Sequence, residues 1–139
     1  MTPTITLTIT RRQHKQLRDY LFPGDGKEAV ALLLCGYRGG ERRHRLLVRE
    51  VHRVEAHGYS ERSSALVTWL PESIEPLLER ATRERLSVVK VHSHPNGYSR
   101  FSQTDDIGDA RLLPMLQGWV EGHLLHGSVV MLPDGQMFG

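Results

Sequence analysis

Seven consecutive apolar residues, Ala29-Val30-Ala31-Leu32-Leu33-Leu34-Cys35, constrain this chain more than any other feature. Side chains alternate sides along a strand, so a strand with no polar position must be covered on both faces. Gly24 and Gly26 before the run and Gly36 after it hold it to strand length. The fold therefore needs a sheet with a layer on each side. A chain of 139 residues is long enough for one such domain and leaves little for a second.

The best apolar runs, this one and Ser128 to Leu132, fall far short of the about 18 residues a membrane span requires, so a soluble protein without membrane association is expected. Met1 to Thr10 alternates threonine with isoleucine and leucine and lacks the basic start and apolar core of a secretion signal, which predicts a cytoplasmic protein. Eighteen basic residues against 16 acidic ones give a formal charge of +2, too small a balance to imply nucleic acid. The local clusters, Arg11, Arg12, Lys15 and Arg18, then Glu41 to Arg45, read as a solvated helix face and a charged hairpin tip. Cys35 is the single cysteine, which excludes an internal disulfide, a four-cysteine zinc site and the paired cysteines of a nucleobase deaminase. Any metal must rest on His, Asp and Glu.

Along the chain, Thr4 to Thr10 reads as a strand with one buried face, and Thr10 with Gln13 as a capping box opening a helix that ends at Pro23-Gly24. Glu28 stands at the entrance to the apolar strand. After Gly39-Gly40, Leu46, Val48 and Val51 predict an antiparallel partner, and Ala65 to Trp69 a further strand. Pro71 is expected to open a helix whose stripe is Leu70, Ile74, Leu77, Leu78 and Ala81. Leu86 to Val91 predicts a buried strand running into His92-Ser93-His94-Pro95. Gly97 to Ser102 reads as a loop, Gln103 to about Trp119 as a helix interrupted near Pro114, and Gly127 to Leu132 as a strand closing at Pro133-Asp134-Gly135. Interleaved helices and strands with a hairpin predict an α/β fold, a mixed β-sheet sandwiched by helices in one domain over residues 1–139.

His92 and His94, one residue apart at the end of a buried strand, project to the same side and can reach one ion about 2.0 to 2.1 Å away. Pro95 stops the strand's ladder, and a loop leads to Ser102-Gln103-Thr104-Asp105. Two imidazoles and one carboxylate are the ligand count of a catalytic zinc with an open position, and a second carboxylate can serve as base. His123 and His126 have no cysteine or acidic partner nearby and are weak candidates for a second site.

The full string, His92-Ser93-His94-Pro95, then Ser102 eight positions after His94 and Asp105 three further, resembles the motif of the JAMM/MPN (JAB domain) zinc metalloprotease family, in its bacterial deubiquitinase-like branch. That family places a glutamate ahead of an upstream apolar strand, the place of Glu28 before Ala29. The resemblance spans about Lys27 to Val130 and implies the MPN (cytidine-deaminase-like) architecture. It also implies that His92, His94 and Asp105 bind one zinc per chain, that Glu28 activates the water, and that Ser102 donates to the tetrahedral oxyanion. The plain alternatives are a capping serine for Ser102 and a surface carboxylate for Glu28, and Asp106 is the rival of Asp105 as ligand. Cys35 stands where many relatives carry glycine, a change expected to concern packing. Ala56 to Ser64 and Arg111 to Glu121 fall where the family varies its substrate-contacting loops; both are short here.

The resemblance implies a zinc-dependent hydrolase cleaving isopeptide or peptide bonds after the Gly-Gly tail of a ubiquitin-like or sulfur-carrier protein. An adenylating enzyme of the ubiquitin-activating type is the further expected partner, and no nucleic acid or membrane is expected. A non-catalytic MPN scaffold mediating association is the alternative, although such members usually lose metal ligands. A small peptidase releasing an amino acid from a carrier protein shares the chemistry. The end at Met137-Phe138-Gly139 suits an excised domain and a complete small protein equally.

Overall fold

A computed structural model describes residues 4–69, 71–119 and 125–139. In chain order the elements are β1 (Thr4–Thr8), α1 (Arg11–Leu21), β2 (Val30–Gly39), β3 (Arg43–Arg53), β4 (Tyr59–Arg62), β5 (Val67–Trp69), α2 (Glu75–Glu84), β6 (Ser87–Ser93), α3 (Gln103–Trp119), β7 (Gly127–Met131) and β8 (Met137–Phe138). Six strands form one mixed sheet in the order β1-β3-β2-β6-β7-β8, and β4 pairs with β5 apart from it. The apolar run lies on β2, antiparallel to both β3 and β6.

Alternation along β2 divides the interior in two. Ala31, Leu33 and Cys35 face one core with Leu17 and Leu21 of α1, Val89, Val91 and Met131. Val30, Leu32 and Leu34 face the other with Ile74, Leu78, Val88, Leu112 and Leu116. Each fully buried leucine contributes about 1.5–3 kcal/mol through removal of its surface from water. The expected sandwich is present: α1 on one face, α2 and α3 on the other. No helix among the described residues is long and apolar enough to cross a membrane.

Local chemistry sets the helix ends. The Thr10 hydroxyl accepts from the Gln13 amide at 3.1 Å, and the Gln13 side chain accepts from the Thr10 amide at 3.0 Å, the expected capping box. The same glutamine donates to the Val48 carbonyl at 3.0 Å and stitches α1 to β3. α2 starts at Glu75, later than expected, and Pro71 opens a separate 3-10 turn, Pro71–Ser73. The reason is Pro76: in a helix begun at Pro71 its missing N–H and its ring would disrupt the interior, whereas from Glu75 it occupies the tolerated first turn. Leu70, assigned to the same stripe, lies outside the described residues.

Other expectations need correction. α3 runs through Pro114 without interruption, because Leu112 and Leu116 on either side of it are both buried against the second core. Ala56 to Arg62 forms a 3-10 turn and β4, and Arg111 to Trp119 of the other expected loop is part of α3, the loop's last two positions lying outside the described residues. β5 is shorter than Ala65 to Trp69 and joins β4, away from the main sheet. β8 has no counterpart in the sequence reading. Ile5 is exposed, since β1 is an edge strand and α1 packs across β2 and β3 instead.

Candidate metal centre

The β2–β6 register places Val30 opposite His92. Just beyond it, the Ser93 amide donates to the Ala29 carbonyl at 3.0 Å and the Ala29 amide donates to the Ser93 hydroxyl at 2.9 Å. Glu28, immediately before, is thereby held beside the two histidines. Its backbone is clamped from the other side, where its amide donates to the Ser63 carbonyl and its carbonyl accepts from Arg62 Nε, both at 2.7 Å. Arg62 is fixed in turn by an ion pair with Asp25 at 3.0 Å and lies over the Tyr59 ring.

His94 continues the pairing past the end of β6 by donating its amide to the Met131 carbonyl at 3.1 Å. The chain then turns at Gly97, whose φ of +78° suits glycine. That turn brings the Tyr98 carbonyl to 2.7 Å from His94 Nδ1. The carbonyl can only accept, so Nδ1 carries the hydrogen and neutral His94 presents a lone pair at Nε2. At the start of α3, the Ser102 hydroxyl accepts from the Asp105 amide at 3.0 Å while Asp105 Oδ2 accepts from the Ser102 amide at 2.7 Å. This reciprocal cap fixes the Asp105 carboxylate toward β6.

The four groups converge. Glu28, His92, His94 and Asp105 each offer one donor atom, all within 4.8 Å of one another. The residues are only 4%, 1%, 3% and 8% exposed. His92 Nε2 and His94 Nε2 are 3.1 Å apart, His92 Nε2 lies 3.0 Å from Asp105 Oδ1, and His94 Nε2 lies 3.1 Å from Asp105 Oδ2. Donors arranged tetrahedrally at zinc bonding distance stand roughly 3.3 Å apart, close to these separations. An imidazole lone pair facing a carboxylate without a proton or cation between them is repulsive, and Glu28 Oε1 is buried with no partner. The donor set fits a metal ion, with His92, His94 and Asp105 around it and Glu28 alongside.

The electrostatics follow from burial. Desolvation pushes the Glu28 carboxyl up to about 7. It pushes the His92 imidazole below its usual range, which favours the neutral form a metal needs. Burial also raises Asp105, but the imidazole of His92 beside it and the Ser102 amide outweigh that and hold this carboxyl well below the usual range.

The fold brings Glu28, His92, His94, Ser102 and Asp105 to one place. Ser102 is the capping serine of the plain alternative, yet its hydroxyl, accepting from Asp105, keeps its hydrogen to donate. Glu28 is buried, against the surface alternative, and Asp106 is exposed, so Asp105 is the aspartate that stands with the two histidines. His126 is a core histidine whose Nδ1 accepts from the Val88 amide at 2.9 Å; His123 lies outside the described residues. Cys35 is packed in the α1 core and burial pushes its thiol up to about 12. Two features escape the sequence reading. The clamp on Glu28 by Arg62 and Ser63 has no local signal, whereas Lys90, buried within Val88-Val89-Lys90-Val91, is a charge in an apolar strand and could have been singled out.

Comparison with known proteins bears on the fold and the family. Among solved structures, protein DSY2949 from Desulfitobacterium hafniense matches with a TM-score of 0.59 at 19% identity, covering 97% of this chain and 80% of that one. At that identity the likeness concerns the fold. No curated protein is matched. The family model of prokaryotic homologs of the JAB domain matches residues 10–137, and with the fold and buried donor set already in place, this chain belongs to that family.

Proposed function

We propose that this chain is a zinc-dependent hydrolase of peptide or isopeptide bonds that follow the Gly-Gly tail of a ubiquitin-like or sulfur-carrier protein. The convergence of Glu28, His92, His94 and Asp105, all buried, carries the reading. Burying four ionisable groups together is costly unless they are paired around a charge. Zinc, when bound, supplies a Lewis-acidic centre that acidifies water and polarises a carbonyl. His92 and His94 would hold it through Nε2 and Asp105 through its carboxylate. Glu28 Oε1 takes the proton from the attacking water and passes it to the leaving amine. Burial raises that carboxyl above the usual range, which suits it to take up a proton and give it back. The Ser102 hydroxyl donates to the oxygen on which charge develops, worth about 3 kcal/mol for one such donor.

The substrate part of the proposal follows from the family resemblance, and the chemistry expected at Ser102 is compatible with it. A scissile carbonyl must come within about 3 Å of that hydroxyl, and a residue without Cβ allows the closest backbone approach. Sharing a pathway with an adenylating enzyme, in the cytoplasm, belongs to the same proposal. A scaffold role alone leaves the retention of all four groups without a purpose. The test is kcat/KM on a carrier protein ending in Gly-Gly against variants with alanine at one or both positions. A large loss for Ala-Ala is expected; equal values would remove the carrier-tail substrate and leave a metallopeptidase acting elsewhere.

A further inference from the structure

β6 is buried from end to end and yet carries a lysine. Lys90 is 4% exposed and stands two residues before His92, on the same side of the strand. Its ammonium donates to Asp109 Oδ1 at 2.5 Å and lies 5.6 Å from the centre of the Trp69 ring of β5. Asp109 follows Asp105 by four residues, one turn along the same face of α3. α3 and β6 are thus joined by two polar rungs, Asp105 to His92 and His94, and Asp109 to Lys90.

Stability alone does not account for the second rung, since replacing a buried ion pair by apolar residues is commonly neutral or stabilising. What apolar contacts provide poorly is a fixed register. The first two turns of α3 have no apolar anchor among the described side chains: Gln103 and Asp106 are exposed, Ile107 is 52% exposed, and the first buried apolar residue is Leu112. Ahead of the helix the Phe101 ring lies edge-on to His92 and to Phe138, and within the helix the segment bearing Asp105 is tied to the sheet by its two aspartates. We infer that Lys90 and Asp109 are positioning residues that set the rotation and depth of α3 so that the Asp105 carboxylate meets His92 and His94. This rests on the zinc reading above.

The experiment measures zinc affinity by competition with a chelating dye, the cobalt(II) absorption spectrum, and the melting temperature of metal-free protein. It compares wild type with the double variant Lys90→Met, Asp109→Leu and with Lys90→Arg. The double variant is expected to melt at or above the wild-type temperature while binding zinc about 10- to 100-fold more weakly, the usual loss when support behind a ligand is removed. Its cobalt spectrum should shift as the carboxylate is displaced. Lys90→Arg, which keeps the ion pair, should recover most of the affinity. A folded double variant with wild-type zinc affinity and cobalt spectrum would overturn the inference. If that variant does not fold, Asp109→Asn is expected to weaken zinc binding in the same way while melting below wild type, because the Lys90 charge is left unpaired, and wild-type zinc affinity and cobalt spectrum in it would overturn the inference. Wild-type protein that takes up no zinc would overturn the metal reading itself, and this inference with it.

Discussion

The two faces of β6 are made of the same backbone and serve opposite ends. Toward α1 it presents Val89 and Val91, which pack with Leu33, Leu17 and Met131 in an apolar core. Toward α2 and α3 the alternate positions are Val88, Lys90 and His92, and the last two are buried polar groups tied to aspartates of α3. The first face gains from removing hydrocarbon from water; the second forgoes part of that gain to hold charge where water is excluded. On the zinc reading proposed above, the difference implies that stability and metal binding should be separable. Substitutions on one side should move one property and leave the other.

The sharpest break is the double variant His92→Ala, His94→Ala. Elemental analysis is expected to fall from about one zinc per chain to none, with the α1-side core intact. Undiminished zinc in that variant would dismiss the site. Next in size, Glu28→Gln should keep zinc and lose about 10²- to 10⁴-fold in turnover, because the amide preserves shape and cannot accept a proton. Wild-type turnover would move the base elsewhere. On the opposite face, Leu33→Ala should cost about 2–5 kcal/mol in denaturant unfolding while zinc stoichiometry stays unchanged. A loss of zinc from the folded variant would show that the two faces are coupled after all.

The smallest effect concerns the titratable group on the α1 side. Burial raises the Cys35 thiol from 9.0 to about 12. A group whose folded pKa is raised contributes stability that is complete below the unfolded value and is lost as pH climbs through the window between the two. Stability should therefore decline above pH ~9 by at most about 1.4 kcal/mol per pH unit from this residue, and Cys35→Ala should flatten the slope. An identical slope in urea titrations of the variant would place the alkaline sensitivity in another group.

The sequence was informative wherever a residue's own chemistry or its neighbours' spacing settled the outcome. The continuous apolar run could only be a central strand, the Thr10-Gln13 cap was local, and the two histidines separated by one residue had to share a side. Asp105 required more, because its place depends on a turn at Gly97 and a cap at Ser102 that act together; the motif's spacing stood in for that geometry. What could not be read depended on contacts distant along the chain. Arg62 and Ser63 reach Glu28 only because β4 folds back beside β2's entrance, and β8 exists only because β7 offers it an edge. Pro71 and Pro114 misled for a shared reason: a proline's local preference is weighed against neighbouring anchors, Pro76 in one case and Leu112 with Leu116 in the other.

The antiparallel pairing of β2 on both sides has a consequence in time. Its β3 edge is met by a neighbour across a short turn, whereas its β6 edge waits for a segment from the second half of the chain. Closing the longer loop carries the larger entropic cost and makes that pairing the slower of the two. Glu28 and Ala29 sit at the end of β2 that only the later pairing completes, so a growing or refolding chain owns a hairpin well before it owns a centre. Zinc uptake would then read out the arrival of β6 and α3, and the reactive arrangement would come into being only when nearly the whole domain is in place.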